Sequence, residues 1–203
     1  MADMTRRDIV GMLALTPLST VLKWPPGAVR RAREAVVEAQ RNAALTGQAY
    51  APTFFSPHEF DTVKLLADLI IPADERSGSA TDAGAPEFMD FILTTYPDNQ
   101  GAVRGGLAWI DNECRDRYGQ PFLTCSGTQR AALLDEIAWP AKAKPELSHG
   151  VAFFNRFRDM TASAFFSSKL GVEDLQYKGN TFVPEWKGCP PEALNKLGVH
   201  YSE

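Results

Sequence analysis

The sequence predicts an all-α fold, a compact bundle of about five or six helices set between an amino-terminal signal segment and an extended, irregular carboxy-terminal tail. Three observations predict it. Apolar residues recur at spacings of three and four along successive stretches, Ser-x-x-Glu/Gln capping boxes open two of those stretches, and no stretch alternates with period two beside hairpin turn residues. The 203 residues, 44% hydrophobic and 23% charged, have an ordinary globular composition and suffice for one sizeable core.

After the rigid break Lys23-Trp24-Pro25-Pro26-Gly27, Arg30, Arg31 and Arg33 open an Ala/Val/Glu/Gln run that reads as helical to about Leu45. Residues 47–55 read as a linker. Ser56-Pro57-His58-Glu59 then forms a capping box with proline at the first helical position, and Phe60, Val63, Ala67 and Ile70 supply one apolar face until Pro72 stops the helix. Residues 73–83, rich in Ser, Gly, Asp and Thr, read as a loop. Pro86 begins a helix with Phe88, Phe91, Ile92 and Thr95 inward and Pro97 as its stop. Val103, Leu107, Ile110, Cys114 and Tyr118 mark the next, which Gly119 ends with a left-handed cap. Ser126 and Gln129 open a helix through Leu133, Leu134 and Ile137 that ends before Pro140. The last runs from about His149 to Phe166, with Val151, Phe154, Phe157, Thr161, Ala164 and Phe165 on one side.

The two ends differ from this body. Residues 1–33 hold six Lys/Arg against two Asp/Glu, whereas the whole chain has a net charge of -4, so the remainder is acidic. An acidic body excludes a nucleic-acid-binding function, which needs clustered positive charge. The adjacent Arg6 and Arg7, followed by Asp8-Ile9-Val10 and a moderately apolar stretch to Leu22, resemble the twin-arginine signal that exports folded proteins. That stretch is too short, and too broken by Thr16, Pro17, Ser19 and Thr20, to span a bilayer. No A-x-A cleavage site follows Leu22. Beyond Gly171 the chain turns aromatic and rich in Gly and Pro, and Tyr177, Phe182, Val183 and Trp186 carry more apolar area than water tolerates comfortably. They fold back on the helices or dock on a partner. These breaks divide the chain into a signal segment (1–27), a helix and linker (28–53), a helical domain (54–170) and a tail (171–203).

The sequence carries no reaction centre of a familiar kind. Gly101, Gly105 and Gly106 lack the spacing of a dinucleotide turn, and Gly78 and Gly84 make no phosphate loop. No GxSxG, HExxH or CxxCH run occurs. His58 reads as a solvated residue near a helix start, His149 as a capping or surface residue, and His200 as part of the tail. Asp111, Glu113 and Asp116, interleaved with Arg115 and Arg117, read as a solvated helix face. The three cysteines, Cys114, Cys125 and Cys189, have no zinc-site spacing; they allow one bridge and a leftover thiol, or three thiols, according to the compartment. No catalytic, cofactor-binding or metal-ligating residue is therefore assigned in this chain.

Several runs together resemble a known family. Phe54-Phe55-Ser56-Pro57-His58-Glu59-Phe60, Leu66-Ala67-Asp68-Leu69-Ile70-Ile71-Pro72 and Asp82-Ala83-Gly84-Ala85-Pro86-Glu87-Phe88-Met89-Asp90 are similar to the start of the gluconate 2-dehydrogenase subunit 3 family. Gly106 to Asp111, Gln129-Arg130 with Leu133-Leu134, and Phe153-Phe154 with Phe157-Arg158 continue the pattern in order over residues 54–190. The resemblance implies a non-catalytic small subunit of a periplasmic dehydrogenase complex. Its partner would be a glucose-methanol-choline (GMC) type flavoprotein that holds FAD and oxidises a sugar, sugar acid or polyol, with a cytochrome c subunit carrying haem c to take the electrons. The tail looks closest to small subunits of glucoside 3-dehydrogenases. On this reading Arg6 and Arg7 engage the twin-arginine translocase on behalf of the complex, and Tyr177, Phe182, Pro184 and Trp186 contact the flavoprotein. Cys189 would bridge to Cys114, to Cys125 or to the partner, a choice that stays open. Two rivals belong to other classes: a stand-alone enzyme with a site assembled from scattered Asp, His and Arg residues, and a membrane-anchored structural protein held by residues 1–22.

Overall fold

The computed structural model describes residues 24–177, 184–185 and 188–201. Among them are eight α-helices and no strand: α1 (Pro26–Thr46), α2 (Pro57–Ile70), α3 (Ala85–Thr95), α4 (Gln100–Tyr118), α5 (Gly127–Ile137), α6 (Ser148–Phe166), α7 (Lys169–Asp174) and α8 (Pro191–Leu197). Six of them match the helices expected from periodicity. Of the two short ones, α7 straddles the start of the segment that reads from sequence as irregular tail and α8 lies within it. At six and seven residues they are too short to show a repeat of apolar spacing.

Local signals start and stop the helices as the residue chemistry requires. The Ser56 hydroxyl accepts the Glu59 N–H at 3.3 Å while Glu59 Oε2 accepts the Ser56 N–H at 2.8 Å, and Ser126 and Gln129 repeat the exchange at the start of α5. Gly119 closes α4 at φ 75°, a left-handed conformation that costs glycine nothing.

Helix α6 is the axis of the bundle. Eleven of its nineteen residues are buried, and it touches α2, α3, α4, α5 and α7. Its contact with α4 is made close by two glycines. The Phe153 ring lies directly on Gly106, and the Trp109 indole lies directly on Gly150, so each helix offers the other an aromatic ring over a missing side chain. The inward face of α3 is Ala85, Phe88, Met89, Ile92 and Leu93. This differs from the sequence reading, in which Thr95 faces in: the helix is rotated so that Met89 and Leu93 take the buried positions, Phe91 is half-buried, and Thr95 is exposed.

Helix α1 is packed into this body and is not a detached connector. Ala28, Ala32 and Val36, spaced four apart, are buried against α3. Arg33 anchors it. Its Nε donates to Ser167 Oγ at 3.0 Å, its Nη1 to the Ala83 carbonyl at 3.1 Å and its Nη2 to the Ala164 carbonyl, while the guanidinium sits 4.4 Å above the Phe88 ring. Burial holds Arg33 below its ordinary value, at about 10, against the raising effect of the nearby Glu87 charge.

Among the described residues no helix is long and apolar enough to cross a membrane.

Candidate functional site

Two buried carboxylates organise the polar structure. Asp90, on α3, is fully buried; Oδ1 accepts the N–H groups of Phe54 and Phe55, both at 3.0 Å, and Oδ2 accepts the Thr53 N–H at 2.8 Å and the Tyr50 hydroxyl at 2.9 Å. One side chain thus satisfies four donors of the segment that leads into α2. Burial, the bond to Asp90 and the charges of Asp90 and Glu87 all raise the Tyr50 hydroxyl above its ordinary value, so it stays a donor.

The second carboxylate stands beside a cleft of about 550 Å³ between the start of α2 and α4. Asp111 Oδ1 accepts the Phe122 N–H at 3.0 Å, and Oδ2 meets His58 Nε2 at 2.5 Å and Arg115 Nη2 at 3.4 Å. Along the same wall Arg104 pairs with Glu59 at 3.3 Å, donates to the Phe54 carbonyl at 2.6 Å and lies 4.4 Å over the Phe54 ring. The hydroxyls lining the cleft are already engaged: Ser56 caps α2, and Thr62 donates to the His58 carbonyl at 2.9 Å. What this arrangement does is fasten the first turn of α2 to α4 through charge-assisted bonds.

Two sequence readings are corrected here. His58 is not merely a solvated residue at a helix start, because its ring is bonded to Asp111. Asp111 is not on a solvated face, because it is buried. The signal was present in the spacing. Asp111 falls four after Leu107 and three before Cys114, on the buried stripe of α4, and an acid there needs partners. Asp90 carried no such signal, because the face expected of its helix ran through Phe88, Phe91, Ile92 and Thr95, and only the observed rotation of α3 buries it.

The remaining sequence-selected residues are dispersed. His149 is exposed at the start of α6 and lines a second groove of about 370 Å³ with Gly101, Gly105, Trp109 and Arg156; His200 is also exposed. Glu113 is held by Arg117, which also reaches Glu136 at 2.9 Å, whereas Asp116 is exposed. Cys114 and Cys125 are buried free thiols, and Cys189 is an exposed one. Tyr177 and Pro184 are exposed. Arg6, Arg7, Phe182 and Trp186 lie outside the described residues. Near the C-terminus Leu175, Tyr177, Leu197, Val199 and Tyr201 all present apolar area to solvent.

A family model described as Gluconate 2-dehydrogenase subunit 3 matches residues 57–184. The chain belongs to the gluconate 2-dehydrogenase subunit 3 family. It is thus a small subunit of a dehydrogenase complex. No curated protein and no solved structure matches the chain. The family match begins at the first residue of α2, takes in the His58–Asp111 lock, the axial helix α6 and α7, and ends among the aromatic residues of the tail. Residues 1–56, with α1 and the basic pair, lie outside it.

Proposed function

We propose that this subunit is non-catalytic, and that it stabilises and escorts a GMC-type, FAD-holding catalytic subunit that oxidises sugars, sugar acids or polyols in the periplasm, in the manner of glucoside 3-dehydrogenases. FAD has to be inserted as the flavoprotein folds in the cytoplasm, so the loaded protein must cross the membrane already folded. Arg6 and Arg7 supply the twin-arginine address for both chains. A cytochrome c subunit carrying haem c accepts the electrons. The family match over residues 57–184 carries the reading, because it makes the chain a component of a dehydrogenase complex.

The exposed apolar residues near the C-terminus support a docking role for Tyr177, Phe182, Pro184 and Trp186, since a group of such side chains left in water marks an interaction surface. Binding only the folded flavoprotein stabilises it by mass action. The test replaces Arg6 and Arg7 together by lysine in cells expressing the complex. Dehydrogenase activity is expected to remain in the cytoplasm, and a flavin spectrum is expected in whatever co-elutes with the tagged subunit. Undiminished periplasmic activity removes the escort role, and a colourless eluate removes the flavoprotein partner.

A further inference from the structure

We infer, resting on the reading of this subunit as the escort of a flavoprotein, that the groove between α4 and α6 seats a helix of that catalytic chain. The helix it fits has an apolar face and a carboxylate placed to meet Arg156. This contact is additional to the one proposed for the aromatic residues of the tail.

The groove encloses about 370 Å³, and its α4 side is nearly bare of side chains. Gly101 and Gly105 are four apart on α4, about one helical turn, so they stand on one face. A Cβ at either position would meet nothing within 4 Å, and neither residue has a positive φ. Glycine inside a helix is less stable than alanine, and nothing within this chain requires it at Gly105. Gly106 is the contrast, because the Phe153 ring takes the place of its missing side chain. A bare face of this kind lets the backbone of another helix approach closely. Trp109 and Phe153 supply fixed apolar walls, one ring lying on Gly150 and the other on Gly106.

The charge of the groove gives the chemistry of its occupant. Arg156 is half-buried and its Nη1 donates to Asn99 Oδ1, a neutral acceptor, at 2.6 Å. Among the described residues no carboxylate pairs with it or lines the groove, and His149 is the other ionisable residue there. A half-buried cation without a counter-charge is completed by an acid from outside. Two other occupants lack that acid. A second copy related by a two-fold axis would bring the same groove against itself, with Arg156 near Arg156. The apolar stretch of the amino-terminal segment, residues 9–22, contains neither Asp nor Glu. The groove also lies wholly within residues 57–184, the part shared with subunits of a dehydrogenase complex.

The test captures the co-expressed complex on a surface through a tag on the flavoprotein and follows release of this subunit at graded salt. Gly105→Leu, which fills the bare face, should leave about tenfold or more faster than the parent or fail to be captured. The free variant should melt no lower than the parent, because the new side chain enters open space and favours the helix. Gly127→Leu, at an open position of α5 outside the groove, should be released as the parent is. Arg156→Gln should leave about tenfold faster with a weaker dependence on salt, whereas Arg156→Lys keeps most of both properties. Parent-like release of either Gly105→Leu or Arg156→Gln overturns the inference while the escort reading stands. A parent subunit that is never captured with a flavoprotein removes the escort reading itself. A dimer of the isolated subunit that Gly105→Leu breaks gives the groove to a second copy and overturns the inference too.

Discussion

Gly105 and Gly106 are adjacent on α4, and alanine should act in opposite directions at the two. At Gly105 a Cβ meets nothing within 4 Å, and the residue is exposed, so only the backbone term operates. Replacing glycine by alanine inside a helix is worth about 0.8–1 kcal/mol. At Gly106 the same methyl would fall within the Phe153 ring, 2.6 Å from Cε2 with Cδ2 and Cγ nearer still. That ring is 4% exposed and packs against Phe157 at 5.7 Å between centroids, so the methyl can be admitted only by driving the ring out of its seat toward the groove that it lines. Overpacking of this kind costs about 1–3 kcal/mol, and more where the helices must part. At the upper end of that range, which a methyl placed inside a ring warrants, the net loss after the propensity gain is about 2 kcal/mol. With about 2–4 °C per kcal/mol for a chain of this length, Gly105→Ala should raise Tm by about 2–4 °C and Gly106→Ala lower it by about 4–8 °C. Scanning calorimetry of both variants beside the parent decides the matter. Shifts of the same sign and size would refute the claim that the α4–α6 contact is set by a ring seated on a missing side chain.

Asp90→Asn turns an amide toward the Thr53 N–H and weakens the remaining bonds to the 50–55 segment. A loss of about 3 kcal/mol is expected, whereas Asp61→Asn, at an exposed partner of Lys64, should change stability by less than about 0.5 kcal/mol; equal urea midpoints for the two would count against the Asp90 hub. Arg33→Ala removes the contacts to Ser167, Ala83 and Ala164 and should cost about 2–3 kcal/mol, read as early protease cleavage within α1. Wild-type cleavage kinetics there would show that Ala28, Ala32 and Val36 suffice to hold the helix. For Glu87, burial raises the carboxyl most, the Asp90 charge adds to this, and a backbone hydrogen bond, Lys64 and Arg33 oppose it; Oε2 has no hydrogen-bond partner. A raised folded value means that the charged form is disfavoured in the fold, so the penalty is present at neutral pH and fades as pH falls through that value. Glu87→Gln should therefore raise Tm near neutral pH and lose its advantage in acid. An advantage that grows in acid would reverse the sign of this argument.

The residues of the polar hubs were visible in the sequence without their roles. Asp111 falls on the apolar stripe of its helix although it read as part of a solvated face, and Asp90 reaches the core only through the rotation of α3; their donors lie 35 to 40 residues away at Tyr50 to Phe55 and 53 residues away at His58. No local rule connects such distances. The glycines were similar: their spacing excluded a dinucleotide turn, yet nothing near Gly106 or Gly150 in the chain distinguishes a seat for an aromatic ring from the open surface at Gly105.

Local chemistry determined where most of the helices begin and end, because capping hydroxyls, prolines and glycines act within four residues and the apolar repeat is a property of a single helix. The runs shared with the gluconate 2-dehydrogenase subunit 3 family were equally readable, and the basic charge at one end needed only counting. Tertiary structure alone decided that α1 packs against α3, that Asp90 and Asp111 face particular donors, and that α4 and α6 meet ring on glycine. Each of these depends on the relative rotation of helices remote in sequence, which the packing of the whole core sets.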